Sequence, residues 1–390
     1  MDKRKRILEL VQDWEREQID FLIELCEQNS HSYNKKGTDL VSAMICKKLE
    51  NILPVHKVLY QGEVGDIHIL KTGKPGKSVY LLGHTDTVFP LDHSFQTCRK
   101  EGDWLSGPGT ADMKGGLVVM VYALLALKHA GTSDLPNITL ILGGDEEIGS
   151  AASRKIYEQE SRSAWLCLVG ECAGKNGEIV TSRNGKASGK LETFGHDAHV
   201  GSDIGEKASA ILELAHKVIA FEALNGFLPG VRANVGHIGG GLGPGTVPAK
   251  ASFLFDLRWQ NEGHYAQIIR KAQEIASVRN QRLCTSRMTM LSYRPAMPAS
   301  ENTAGFVLRL QRIAEELGQD LPTEHRQGTS DGNFFGAEGV PTLDGFGPIG
   351  INDHTSEERI LMSSLKARTA LLALFLLGLK NTEPVLSPGA

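Results

Sequence analysis

Three short apolar runs, at 79–82, 138–142 and 165–169, are separated from one another by one helical stretch each. Runs of four or five residues are too short to be helices. Near-continuous apolarity, rather than alternation at every second position, marks strands buried on both faces. Strands alternating with the helices expected at 117–128 and 151–161 read as an α/β domain with a largely parallel sheet. Gly131, just past the first of those helices, suits a left-handed C-terminal cap. Two more helical patterns, 7–28 and 40–52, precede the first run.

The patterning changes between 188 and 295. Strand-like 188–193, helical 208–221, strand-like 230–236 and 251–259, helical 265–278 and strand-like 288–293 follow in turn. That order, βαββαβ, is ferredoxin-like. The α/β pattern then resumes with a helix at 302–317, an apolar run at 340–343 and a closing helix at 363–379. The expected organisation is one α/β domain in two parts, 1–187 and 296–390, with a small α+β domain, 188–295, inserted in it.

Composition removes several classes of function. A formal net charge of −4 offers no basic field for nucleic acid. Cys26, Cys46, Cys98, Cys167, Cys172 and Cys284 make no CxxC pair, so no disulfide framework and a reducing cytoplasm are expected. Residues 7–26 are amphipathic rather than the apolar core of a signal peptide. The closing apolar run, 370–377, is far short of the ~20 residues that cross a bilayer, so no membrane association is expected. The 43 glycines among 390 residues imply many tight turns.

Ligands of open α/β sheets bind beyond the carboxyl ends of the strands. After the first run comes Gly83-His84-Thr85-Asp86-Thr87-Val88, and after the second Gly143-Gly144-Asp145-Glu146-Glu147-Ile148-Gly149-Ser150. The third is followed by Gly170-Glu171. Asp112 lies in the glycine-rich 107–116, and the loop after 343 ends Asn352-Asp353-His354-Thr355-Ser356-Glu357-Glu358. A lone His-x-Asp is usually structural, and an Asp-Glu-Glu run is ordinarily a solvated helix start. Five such segments, each after a strand or at a glycine-rich turn, are not a chance arrangement. Two histidines with three carboxylates suit a two-metal centre in which one carboxylate bridges.

These blocks, with Gly109-Thr110-Ala111-Asp112-Met113-Lys114-Gly115-Gly116 and Gly328-Thr329-Ser330-Asp331, resemble the M20 metallopeptidases. Those dinuclear zinc amidohydrolases include glutamate carboxypeptidase, acetylornithine deacetylase, succinyl-diaminopimelate desuccinylase and aminoacylases. The resemblance implies a zinc-exopeptidase α/β domain, and makes 188–295 a lid or dimerisation domain. It implies that Asp112 bridges two metal ions, with His84 and Glu171 completing one site and Glu147 and His354 the other. Zn2+ is the expected ion, and carboxylate-rich sites also accept Co2+ or Mn2+. Asp86 is to orient His84, provided that the turn after the strand bends it back to the ring. Glu146 is implied as the general base. Adjacent side chains diverge in extended backbone, so Glu146 and Glu147 are not equivalent ligands; which does what rests on the resemblance.

In the insert, the resemblance makes His199 the lid histidine that reaches a partner subunit's site and stabilises an oxyanion. By itself His199 reads as a turn histidine near Ser202. Arg258 is implied for a substrate carboxylate; by itself it reads as an outward strand residue paired with an acid. Asn234 is a candidate polar contact, and the backbone around Gly328 a candidate carboxylate receiver. Where the family often has Asn-Val-Val-Pro, this chain has Gly245-Thr246-Val247-Pro248, so that asparagine's contact is missing or supplied differently. Residues 239–243 are glycine-rich, yet they lack the Gly-Lys-Ser/Thr ending of a phosphate loop.

The activity implied is metal-dependent hydrolysis of an amide bond beside a free-carboxylate amino acid, as a glutamate carboxypeptidase-like exopeptidase does. The alternative is an N-acyl-amino-acid deacylase. A remote third reading is a non-catalytic dimeric binding protein. The expected partners are a small peptide or N-acyl amino acid and a second copy of the chain.

Overall fold

The computed structural model describes residues 2–132, 135–202 and 205–379. In chain order the main elements are α1 (Lys3–Asp13), α2 (Glu15–Glu27), α3 (Lys35–Leu49), β1 (Val55–Leu59), β2 (Ile67–Lys71), β3 (Ser78–His84), α4 (Gly115–His129), β4 (Ile138–Gly143), β5 (Ala164–Val169), β6 (Gly185–Phe194), α5 (Ala210–Glu222), β7 (Arg232–Gly240), β8 (Lys250–Trp259), α6 (Glu262–Ser277), β9 (Thr285–Arg294), α7 (Glu301–Glu316), β10 (Thr342–Leu343) and α8 (Met362–Gly378). They fall into two units. One holds the chain up to Ser182, Ala299–Arg326 and everything from Ser330 on; the other holds Arg183–Pro298 with Gln327–Thr329.

In the first unit the three apolar runs become β3, β4 and β5. The six-stranded sheet has the order β1-β2-β4-β3-β5-β10. β4, β3, β5 and β10 pair in parallel, while β2 lies antiparallel to β4 and β1 antiparallel to β2. The sheet is therefore mixed, with an antiparallel hairpin at one edge. Every residue of β3 and β4 is buried. Val79, Leu81 and Leu140 pack into a cluster with α4, α8 and α1, while Tyr80, Leu82 and Ile141 pack on the other face with Tyr157, Phe334 and Phe335. Burial on both faces is why these strands read as unbroken apolar runs.

Helix α4 is apolar around its whole circumference because it is the centre of the larger cluster. The stretch Thr110–His129 is long and apolar enough to cross a bilayer, yet 89% of its apolar window is buried inside the protein. It is a core helix. It ends as expected, with Gly131 at φ +69°. At its start, a β-carbon on Gly116 would lie 1.6 Å from the carbonyl oxygen of Gly170, at the end of β5. Backbone cannot yield as a side chain does. Gly116→Ala is expected to cost at least the ~1–3 kcal/mol of ordinary overpacking. Calorimetry should show a thermal midpoint several degrees lower; an unchanged midpoint would mean that α4 and β5 are not in fixed contact.

The second unit has the sheet order β7-β8-β6-β9, with every pair antiparallel. In chain order of the four strands that is 2-3-1-4, the ferredoxin-like arrangement expected from βαββαβ. Ala251, Phe253, Phe255, Leu257 and Trp259 alternate inward along β8, against Leu214 and Phe221 of α5 and Ile268 and Ala272 of α6. The unit starts a few residues before 188 and ends a few after 295. Arg183 and Met297 exchange backbone hydrogen bonds (2.9 and 3.0 Å), which zips the entering and leaving chain together ahead of the sheet. The inclusion of 327–329 was not foreseen from the sequence.

Candidate metal centre

The expected ligands of the first unit meet beyond the carboxyl ends of β3, β4 and β5. His84, the last residue of β3, is 1% exposed. The turn after it does bend back: His84 Nδ1 lies 3.0 Å from the Asp86 carbonyl and 3.3 Å from Asp86 Oδ1. An acceptor at Nδ1 sets the proton there and turns the Nε2 lone pair outward. Nε2 is 3.0 Å from Asp112 Oδ1 and 3.6 Å from Glu171 Oε1.

Asp112 presents one oxygen to each of two imidazoles. Its Oδ2 lies 3.1 Å from His354 Nε2, which is also 3.0 Å from Glu147 Oε2. His354 holds φ at +60° in its loop, a conformation rare outside glycine and asparagine. Asp353 brings a further carboxylate within reach of Asp112 and His354. Sequence reasoning passed it over because an acid beside a histidine in a polar loop carries no distinguishing signal.

Two carboxylates shape this cluster from behind, and both act on backbone amides. Asp86 is fully buried. It accepts from Ser32 Oγ (2.7 Å) and from the backbone N–H groups of Glu146 and Glu147 (3.2 Å each). One side chain thus ties the imidazole of β3 to the loop after β4. Glu358, also fully buried, accepts from the N–H groups of Gly109 (3.2 Å), Ala111 (2.8 Å) and Asp112 (3.1 Å). It fixes the turn that carries Asp112. Burial and the Asp112 charge push its pKa up to about 8 against those three donors.

The electrostatics of the cluster are those of crowded anions. Burial, then the charge of Asp112, raises Glu147 and Glu171 well above the ordinary carboxylate range. Burial opposes charge on His84, yet its bonds to Asp112 and Asp86 win and raise its pKa. Bonds to Asp112 and Glu147 take His354 up to about 11. Both shifts have one cause, since the surrounding carboxylates favour positive charge in the pocket. Tetrahedral ligation at ordinary metal–ligand lengths puts donor atoms roughly 3.3 Å apart. The observed 3.0–3.6 Å spacings fit that edge.

Glu146 is half-buried at the head of the short turn Glu146–Ile148. Asp331, in the 328–331 block, is a buried anchor that accepts from Ser150 Oγ (2.5 Å) and Tyr157 OH (2.7 Å). In the second unit, Arg258 donates to Asp256 through Nε (2.6 Å) and to the Gln327 carbonyl through Nη1 (3.3 Å). It is an outward strand residue paired with an acid. The Gly328 carbonyl accepts from Arg183 Nη1 (3.2 Å). Asn234 is exposed on β7. His199 sits in a two-stranded ladder opposite Thr246, within the segment that departs from the family pattern.

An acid between two imidazoles, flanked by two buried glutamates and beyond the strand ends of an α/β sheet, is the donor set of a two-metal hydrolase. The profile of peptidase family M20/M25/M40 matches residues 80–378. Carboxypeptidase G2 of Pseudomonas sp. (strain RS-16) is 26% identical over 321 residues, 81% of this chain and 77% of that protein. A succinyl-diaminopimelate desuccinylase of Cupriavidus taiwanensis is 30% identical over 314 residues, 74% of this chain and 78% of that protein. The crystal structure of aminopeptidase PepT from Bacillus cereus superposes with a TM-score of 0.72 at 23% identity, covering 93% of this chain and 98% of that one. The chain belongs to peptidase family M20/M25/M40. It is a metal-dependent hydrolase of amide bonds.

Proposed function

We propose that the protein is a dizinc exopeptidase that cleaves the amide bond next to an amino acid with a free carboxylate, in the manner of a glutamate carboxypeptidase. The observation that carries this reading is Asp112 with one imidazole at each carboxylate oxygen. In this reading Asp112, His84 and Glu171 would hold one divalent ion, and Asp112, Glu147 and His354 a second. Bound divalent ions would supply Lewis acidity for the scissile carbonyl and acidify water.

The chain's own groups do the rest. Glu146 takes the proton of the attacking water and hands it to the leaving nitrogen. Asp86 holds Glu146 and Glu147 in place through their N–H groups, so base and ligand stay in register. His199 Nδ1 accepts from the Gly201 N–H (3.1 Å), which leaves the ring proton on Nε2. That N–H is the donor proposed for an oxyanion in a partner subunit's site. Arg258 is proposed for the substrate carboxylate, exchanging Asp256 for it, with Asn234 and the backbone near Gly328 as further contacts. A homodimer through the second unit is supported by its edge strand β7 and by exposed Ile211, Ile219 and Ile238. A cytoplasmic location accords with six unpaired cysteines.

The test is a panel of N-blocked dipeptides and N-acyl amino acids, each also offered as its C-terminal amide. Release of the C-terminal amino acid from blocked dipeptides, lost on amidation and on chelation and regained with Zn2+, is expected. Preference for small N-acyl groups over peptides would favour the deacylase reading. Cleavage of neither class refutes both.

A further inference from the structure

Three metal-ligating side chains that amide hydrolysis does not use converge at the hairpin edge of the first unit's sheet. Cys46 comes from α3, His56 from β1 and His68 from β2. The β1–β2 register sets His56 opposite Leu70 and Val58 opposite His68, so the two histidines are diagonal neighbours on one face. Cys46 Sγ lies 3.7 Å from His56 Nε2 and 3.6 Å from His68 Nδ1, and the two nitrogens are 2.9 Å apart. We propose that Cys46, His56 and His68 form a mononuclear zinc site, separate from the amide-hydrolysis centre, that staples α3 to the β1–β2 hairpin.

The geometry is close to that of an ion's coordination shell. With Zn–S near 2.3 Å and Zn–N near 2.0 Å, tetrahedral ligation puts sulfur about 3.6 Å from each nitrogen and the nitrogens about 3.3 Å apart. The two sulfur–nitrogen distances match already, and the nitrogens need to part by only a few tenths of an ångström. One thiolate and two imidazoles select a borderline-soft ion over Mg2+ or Ca2+, which take oxygen ligands. His68 and Cys46 are sheltered while His56 is exposed, which leaves a fourth position facing water. Burial holds the Cys46 thiol up to about 12 and, with the charge of His56, keeps His68 below its ordinary value. Loading would displace the thiol proton.

The donors expected of the amide-hydrolysis centre are oxygen and nitrogen alone, so sulfur ligation reports the new site by itself. The full-length protein is loaded with Co2+ and read for thiolate-to-cobalt charge transfer, and the zinc-loaded protein is read for metal per chain. The expected result is a charge-transfer band with the intensity of one thiolate-bound ion per chain, absent from Cys46→Ser and from His56→Gln. The zinc content of each variant should fall by one, with amide hydrolysis unchanged. His56 is exposed on an edge strand, so its variant serves if Cys46→Ser does not fold. No thiolate band in the wild type, a band that survives in the variants, or equal zinc in wild type and variants overturns the proposal. Each of these outcomes is independent of whether the peptide panel is cleaved.

Discussion

Glu146→Gln is expected to lower kcat by roughly 10²–10⁴-fold, the usual worth of a positioned general base, with the metal content unchanged. Glutamine keeps the size, and it keeps the backbone N–H bond to Asp86 that helps fix the turn. What is lost is the carboxylate proposed to receive a proton. Glu147→Gln should do the reverse, weakening ion binding, since its side chain lies 3.0 Å from His354 Nε2 inside the cluster. Steady-state kinetics paired with elemental analysis on both variants checks the division. Loss of metal from Glu146→Gln with retention in Glu147→Gln would exchange the two roles.

Glu358→Ala should be among the most destabilising single substitutions in the chain. It strands the N–H groups of Gly109, Ala111 and Asp112, all at one buried turn. An unsatisfied buried donor costs about 1–3 kcal/mol, so the three together come to roughly 3–6 kcal/mol once entering water recovers part. That exceeds the usual range for a point mutation. Urea unfolding monitored by circular dichroism should show the midpoint fall with little change in slope. Glu358→Gln, which keeps one acceptor oxygen, should sit between alanine and wild type. If both variants unfold as wild type does, the Asp112 turn is held by something else.

Much of this site could be read from the sequence because strand ends leave a strong local signal. His84, Glu146, Glu147 and Glu171 each follow a run buried on both faces, and that runs-then-acids pattern survives translation into structure. The inserted unit was legible for the same reason, with alternation along β8 and two helices of ordinary length. The pairing of Arg258 with Asp256 was also foreseeable, since residues two apart on a strand share a face. The β1–β2 hairpin was not, because Val55-His56-Lys57-Val58-Leu59 is an exposed edge without clean alternation. Nor was the reach of Asp86 to residues 146 and 147. A carboxylate on backbone amides sixty residues away imposes no residue type there. Glu358 belongs with His354 to the family-like block, yet nothing in the local pattern separates it from exposed Glu357 or points to the backbone amides it holds.

The grip of Asp86 and Glu358 on main-chain amides has a thermodynamic consequence. The loops that bear the donors are held by hydrogen bonds of the polypeptide itself, so part of their ordering comes with folding, and ion binding adds its own stabilisation by linkage. Less of the affinity for the ions is then drawn upon to order these loops. Exchange of one divalent ion for another then turns more on relative affinities than on reshaping the turns that Asp86 and Glu358 hold.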